Sequence, residues 1–147
     1  ISADALWEKG FGVVFPELLD QSGSEEVACT IDLIASLKPD LVIPGHGRPF
    51  KNINEAIEVA RSKLDYLSSD PKRNARHGAK VLLKYKLLEW QKKDLRDVVQ
   101  WVYTTPLMNS IAKQLNYSIE ELTEWLLPAL CKTGGALIDG DLLVNQD

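Results

Sequence analysis

Apolar residues in the first part of the chain recur at helical spacing and then give way to a short, nearly continuous apolar run. The periodic stretch predicts a helix that runs from about Ser24 to Leu37 and ends before Pro39. Ser22 followed by Glu25 resembles a capping box at its start. The segment Asp40–Ile43 comes next and predicts one buried strand.

A second helix is predicted after this strand. Asn52 followed by Glu55 begins it, and it stops near Ser68, because a residue that precedes a proline is disfavoured in the α conformation. The polar stretch Asp70–Asn74 contains that proline and predicts a boundary. We therefore expect one domain over residues 1–70 and a second over 75–147.

The second domain is predicted to be mostly helical. Its long first helix has a broad apolar face, which is typical of a helix that packs against a core. The predicted helices are Ala75–Trp90, one capped by Asp94, one that begins at Thr105-Pro106 and one capped by Ser118 with Glu121.

The end of the chain predicts a β-hairpin. Two short apolar runs within Ala136–Val144 flank Asp139-Gly140, a strong turn signal. Helices followed by a hairpin resemble a winged-helix module. Its groove-facing helix would present Glu120, Glu121 and Glu124, which a phosphate backbone repels. A packing or dimerisation module is therefore favoured over DNA binding.

Charge and hydropathy give no support for two classes of partner, nucleic acids and membranes. The net charge of the 147 residues is −4, which gives no support for a nucleic-acid partner. The acidic excess lies in residues 1–74, with 8 Lys/Arg against 12 Asp/Glu. No apolar run reaches the length of a membrane span. Cys29 and Cys131 lack metal-ligand spacing and are interpreted as buried free thiols, which favours the cytoplasm.

His46 carries the most specific chemical signal. It lies in the turn Val42-Ile43-Pro44-Gly45-His46-Gly47, directly after the predicted strand. Flanking glycines allow a tight turn and close approach to a neighbouring group. An imidazole presented at a strand end suits a divalent metal. Taken alone, the motif is equally typical of a histidine whose ring only makes hydrogen bonds within a turn.

The motif does not occur alone. The order Ile1-Ser2-Ala3-Asp4-Ala5-Leu6-Trp7, then Phe11-Gly12-Val13-Val14-Phe15-Pro16, then Pro44-Gly45-His46-Gly47 resembles the C-terminal half of a metallo-β-lactamase-fold hydrolase. The resemblance implies that Asp4 is the carboxylate that bridges two metal ions and that His46 is the terminal ligand. Gly45 and Gly47 would support the turn.

The resemblance also implies a fold and an activity. The fold is α/β, part of an αββα metallo-β-lactamase sandwich, followed by the mostly α winged-helix-like domain. The activity is zinc-dependent hydrolysis of an ester, thioester or amide bond in a small-molecule substrate, with two zinc ions in the intact enzyme.

The remaining family ligands have no counterpart here. The family's H-x-H-x-D-H cluster is absent from the sequence, whose two histidines are His46 and His77. The chain is therefore interpreted as the C-terminal portion of such an enzyme, inactive in isolation. The alternative is a non-catalytic binding or dimerisation module that retains half of the hydrolase fold.

Three further expectations follow for the first domain. Asp4 and His46 should approach within roughly 3–5 Å, because two ligands of one metal each lie about 2 Å from it. Trp7 and Phe11 are candidates for a substrate cleft, although such aromatics are more often local core. An uncovered sheet face would favour a homo-oligomer.

Overall fold

The chain forms two compact units, residues 1–74 and 75–147. The structure is a computed structural model and describes residues 1–19 and 21–146. Within these ranges the protein is mostly helical, with six α-helices and a small antiparallel sheet of three strands. The predicted α/β class, part of an αββα sandwich, is therefore wrong.

The reason is that the predicted strand at Asp40–Ile43 finds too few partners. Val42 pairs with Phe50, and Pro44 pairs with Ala3, each as an isolated bridge. Pro44 has no N–H with which to continue a ladder. An extended segment becomes a sheet strand only where neighbours satisfy its backbone over several residues. The described part of the first unit thus contains bridges and no sheet.

Two helices provide most of the core of the first unit. They are α1 (Ser24–Leu37) and α2 (Ile53–Ser68), and a short 3₁₀ helix (Pro16–Leu19) precedes them. Both α-helices agree with the predicted bounds, because their apolar spacing is a local signal. The buried cluster consists of Leu6, Phe11, Val14, Ile31, Val42, Phe50, Ile53, Ala56, Ile57, Ala60, Leu64 and Leu67.

The start of α1 is capped from a distance. Glu17 Oε1 accepts hydrogen bonds from the backbone N–H groups of Gly23 (3.0 Å) and Ser24 (2.9 Å). The N-cap residue is Gly23, so the predicted capping box of Ser22 and Glu25 is wrong. A capping box and a distant carboxylate both provide acceptors for the free N–H groups of a first helical turn. The Glu17 carboxylate also complements the helix dipole.

The polar stretch after α2 begins a helix. α3 runs from Pro71 to Trp90, and the Lys72 N–H donates to Asp70 Oδ1 at 3.0 Å. Asp70 therefore caps the helix, and Pro71 occupies its first turn, where a missing N–H costs nothing. The helix predicted from Ala75 therefore begins four residues earlier, at Pro71.

Local capping signals correctly located the later helices. They are α4 (Leu95–Thr104), α5 (Pro106–Leu115) and α6 (Ile119–Lys132). Ser118 and Glu121 form the predicted capping box, with Glu121 N–H donating to Ser118 Oγ at 3.1 Å and Ser118 N–H donating to Glu121 Oε2 at 2.7 Å.

The sheet of the second unit is built on the predicted hairpin. Strands β2 (Ala136–Asp139) and β3 (Leu142–Asn145) are antiparallel, and β1 (Lys92–Asp94) pairs with the other edge of β3. The hairpin prediction is confirmed. β1 was missed because its residues, Lys-Lys-Asp, show no apolar alternation. The largest buried side chains of this unit are Leu83, Leu87, Val98, Met108, Ile111, Leu115, Leu122, Leu126 and Leu143.

Two surface properties bear on partners. Within the described ranges, no helix is both long and apolar enough to cross a membrane. The uncovered sheet face from which a homo-oligomer was expected is not formed in the first unit. Exposed apolar side chains occur instead on α1, where Leu33 and Leu37 are exposed. Self-association stays a prediction.

Glu17 gives a test of the α1 cap through pH. Burial raises the pKa of Glu17, but hydrogen bonds from Ser24 and Gly23 outweigh it and lower the pKa overall. A lowered folded-state pKa stabilises the protein above the unfolded value, and this contribution disappears as pH falls through the folded-state pKa. We expect Glu17→Gln to reduce the free energy of unfolding by about 0.5 kcal/mol at pH 7.

The measurement is urea denaturation at pH 7 and at a pH below the folded-state pKa of Glu17. The loss should vanish at the lower pH, where the wild-type carboxyl is also neutral. Glu8→Gln, at an exposed position, is the control and should change neither value. An equal loss at both pH values would contradict the proposed cap.

Candidate metal centre

Two backbone segments from distant parts of the sequence pair in parallel in the first unit. The Ser2 N–H donates to the Ile43 carbonyl at 3.0 Å, and the Gly45 N–H donates to the Ala3 carbonyl at 2.8 Å. These bonds flank the parallel bridge between Ala3 and Pro44. Residues that follow parallel segments leave them at the same edge, as at the carboxyl edge of a parallel sheet. The pairing therefore brings the residues that follow Ala3 and Gly45 together.

Those residues are Asp4 and His46. His46 Nε2 lies 3.8 Å from Asp4 Oδ1, within the range expected from the sequence. The side chains are 62% and 69% exposed respectively, so both polar ends are open to a ligand. Carboxylate and imidazole are both zinc ligands, and two atoms about 2 Å from one tetrahedral ion lie about 3.3 Å apart. A shift of about half an ångström would bring the two side-chain tips to that separation.

Gly45 makes the approach of the two segments possible. A Cβ atom at Gly45 would lie 3.1 Å from Asp4 Oδ1 and 3.2 Å from the Ala3 carbonyl carbon. Both distances are shorter than ordinary contacts, and the second involves backbone that cannot swing away. Gly47 serves a different purpose, because its φ of +94° is a conformation that L side chains rarely adopt. The two glycines thus have separate roles in the turn.

Trp7 contacts the imidazole directly. Its ring meets that of His46 edge to face, with centroids 5.3 Å apart and an interplanar angle of 78°. The indole Nε1–H donates to the Ala3 carbonyl at 3.2 Å, which fixes the tryptophan to the paired segment. This contact restricts the orientation of the His46 ring. Trp7 is therefore part of the candidate site.

Phe11 lies elsewhere, in the core of the first unit, where its side chain is 3% exposed. It contributes through its backbone, because the Phe11 carbonyl accepts a hydrogen bond from Lys63 Nζ at 2.7 Å. The next residue, Gly12, donates its N–H to the Asp4 carbonyl at 3.1 Å. Lys63 on α2 thus anchors the segment that carries Asp4.

Sequence reasoning missed Lys63, because a lysine within an amphipathic helix is usually solvated. Burial lowers the pKa of its ammonium group. The amine also lies over the Phe11 ring, 4.8 Å from its centroid, which favours the charged form. Lys63 and Phe11 come together only in the folded chain, and no local sequence motif predicts their contact.

Asp4 and His46 gain no third protein ligand within residues 1–19 and 21–146, where no group of three or more His, Cys, Asp or Glu is positioned to hold a metal. The pair therefore offers two candidate ligand groups in the described structure. No protein-family model matches the chain, and no curated protein matches it. The candidate site therefore rests on its own residues and their geometry.

Substitution of Gly45 tests the close approach. We expect Gly45→Ala to force the Gly45–His46 turn away from Ala3, which breaks the Trp7–His46 contact and shifts the Trp7 indole N–H resonance in NMR spectra. Overpacking should also cost about 1–3 kcal/mol of stability.

Gly47→Ala is the matched control. It strains the backbone by about 1–3 kcal/mol, but nothing lies within 4 Å of the added Cβ. It should therefore destabilise the protein and leave the Trp7 indole resonance in place. Equal shifts of that resonance in both variants would show that Gly45 has no specific role in this approach.

Proposed function

We propose that Asp4 and His46 are two ligands of a zinc centre in a metal-dependent hydrolase of the metallo-β-lactamase superfamily. The observation that carries the proposal is the 3.8 Å separation of their side-chain tips. These are the residues to which the family resemblance assigns ligand roles. The proposal rests on this local arrangement of the two side chains.

Each residue of the site has a distinct role in the proposal. Asp4 offers two carboxylate oxygens, which suits a ligand that bridges two ions. His46 offers one ring nitrogen, and Trp7 holds the orientation of that ring. A metal ligand is best placed when neighbouring groups fix it before the ion binds. Gly45 allows the two ligands to approach each other.

The substrate class in the proposal is a small molecule with an ester, thioester or amide bond. When bound, zinc supplies Lewis acidity that lowers the pKa of coordinated water and polarises a carbonyl. Asp4 and His46 would hold the ions, and the exposure of both side chains leaves room for a substrate next to them.

Two ligands do not complete such a centre. Catalytic zinc sites use three protein ligands, and structural sites use four. We therefore propose that residues outside these 147 supply the rest, together with the aspartate that activates water. The 147-residue chain alone is then expected to bind zinc weakly and to lack hydrolase activity.

The proposed compartment is the cytoplasm. Cys29 and Cys131 are both free thiols, but Cys29 is exposed and Cys131 is half-buried, so the prediction that both are buried is wrong. Burial raises the pKa of the Cys131 thiol, which keeps it in the less reactive protonated form. Free cysteines of this kind are typical of proteins in a reducing environment.

Zinc titration of the purified chain tests the half-site. Competition with a chromophoric chelator measures affinity, and the Trp7 indole N–H resonance reports binding next to His46. We expect Asp4→Asn and His46→Gln each to weaken zinc binding by about tenfold or more, because each removes one ligand of the pair.

His77→Gln is the control, since it removes the other histidine and should leave zinc affinity unchanged. Zinc binding that survives both Asp4→Asn and His46→Gln would refute the proposed ligands. Turnover of a thioester or nitrophenyl ester that disappears in Asp4→Ala would instead show that the chain completes its own catalytic centre.

A further inference from the structure

Helix α3 carries a strongly basic stretch. Residues 71–88 contain six Lys and Arg residues, one His and no Asp or Glu, in a chain whose net charge is −4. Four of the cations, Lys72, Arg76, Lys80 and Lys84, follow one another at intervals of four and so share one face of α3. Like charges at this spacing repel and destabilise an isolated helix.

The structure does not neutralise this face with carboxylates. Among the described residues, no Asp or Glu oxygen lies within 4 Å of these four cations. Neutral oxygens approach instead. Lys84 Nζ donates to the Gly135 carbonyl (3.1 Å), to Asn145 Oδ1 (2.6 Å) and to the Gln146 carbonyl. The positive charge of the face is therefore uncompensated in the described chain.

Part of this face forms one wall of a cleft within the second unit. The cleft has a volume of about 290 Å³, at the small end of the range for ligand pockets. His77, Lys80 and Lys84 provide basic groups, and Val81 with Leu130 provides apolar surface. The remaining lining residues, Thr133 and Gly135, are uncharged.

We propose that this cleft binds a small organic anion with a short apolar chain, a carboxylate or a phosphate ester, and that Lys80 makes the principal contact with its charged group. The Lys84 ammonium group already donates hydrogen bonds to three oxygens of the protein. We therefore assign the contact with the ligand to Lys80, the other lysine of the cleft. Val81 and Leu130 would contact the apolar chain.

The cleft favours a small anion over a nucleic acid. A polynucleotide needs several cations along its backbone, whereas Lys84 is committed to the protein. The apolar surface of Val81 and Leu130 has no use in phosphate-backbone binding. The inference goes beyond the proposed hydrolase, since it involves the second unit alone.

The test uses the full chain and octyl phosphate, below its micelle concentration, as the probe. Isothermal titration measures affinity, and amide NMR shifts show where the probe binds. We expect saturable binding, with the largest shifts at Val81, Leu130 and Thr133. Inorganic phosphate and octanol, which each lack one half of the probe, should bind at least about tenfold more weakly. Octanoate against octyl phosphate distinguishes a carboxylate from a phosphate ester.

Two variants test the assigned contacts. Lys80→Gln should weaken octyl phosphate binding by about tenfold, because a charge-assisted hydrogen bond is lost. Val81→Asn should weaken the binding of octyl phosphate and leave that of inorganic phosphate unchanged. Lys86→Gln is the matched control, since Lys86 is on the same helix but paired with Glu89, and it should have no effect.

Several outcomes would overturn the proposal. The first is an affinity for inorganic phosphate or for octanol that equals the affinity for octyl phosphate. The second is an affinity for octyl phosphate that Lys80→Gln does not change, in a variant whose circular dichroism is that of the wild type. Tighter binding of a single-stranded oligonucleotide that depends on Lys80 but not on Val81 would assign the face to nucleic acid. None of these results depends on zinc binding at Asp4 and His46.

Discussion

The candidate site depends on the parallel backbone pairing of Ser2–Ala3 with Ile43–Gly45. Two hydrogen bonds of 3.0 and 2.8 Å hold these segments side by side. Each bond is worth only about 1 kcal/mol net, so the supporting contacts are essential. Gly45 permits the approach, and Lys63 ties the segment after Asp4 to α2. Without this pairing, Asp4 and His46 are two surface residues with no reason to meet.

The sequence predicted what is encoded locally. Apolar spacing located α1 and α2, and the Ser118–Glu121 pair located the start of α6, because helix formation and capping depend on residues three or four positions apart. The hairpin was also predicted, because its turn signal, Asp139-Gly140, is local as well. The proximity of Asp4 and His46 was expected only from the family resemblance, because residues so far apart in the sequence form no local pattern.

What the sequence did not predict depends on contacts between distant residues. The apolar segment at Asp40–Ile43 looks like a strand, but strand formation requires partners that the described first unit does not provide. Glu17 caps α1 from six and seven positions upstream, where a capping-box pattern does not reach. Lys63 meets the Phe11 carbonyl across 52 positions. In each case the decisive partner lies outside the spacing of three or four residues on which helix and capping patterns depend.

Hydrogen exchange at single backbone amides tests the pairing most directly. The Gly45 N–H donates to Ala3, whereas the Gly47 N–H, two residues later in the same turn, has no backbone acceptor among the described residues. We predict that the Gly45 amide exchanges more slowly than that of Gly47, by about tenfold or more after correction for intrinsic rates. Equal exchange at the two amides would mean that the segments do not pair in solution and that Asp4 and His46 form no preorganised half-site.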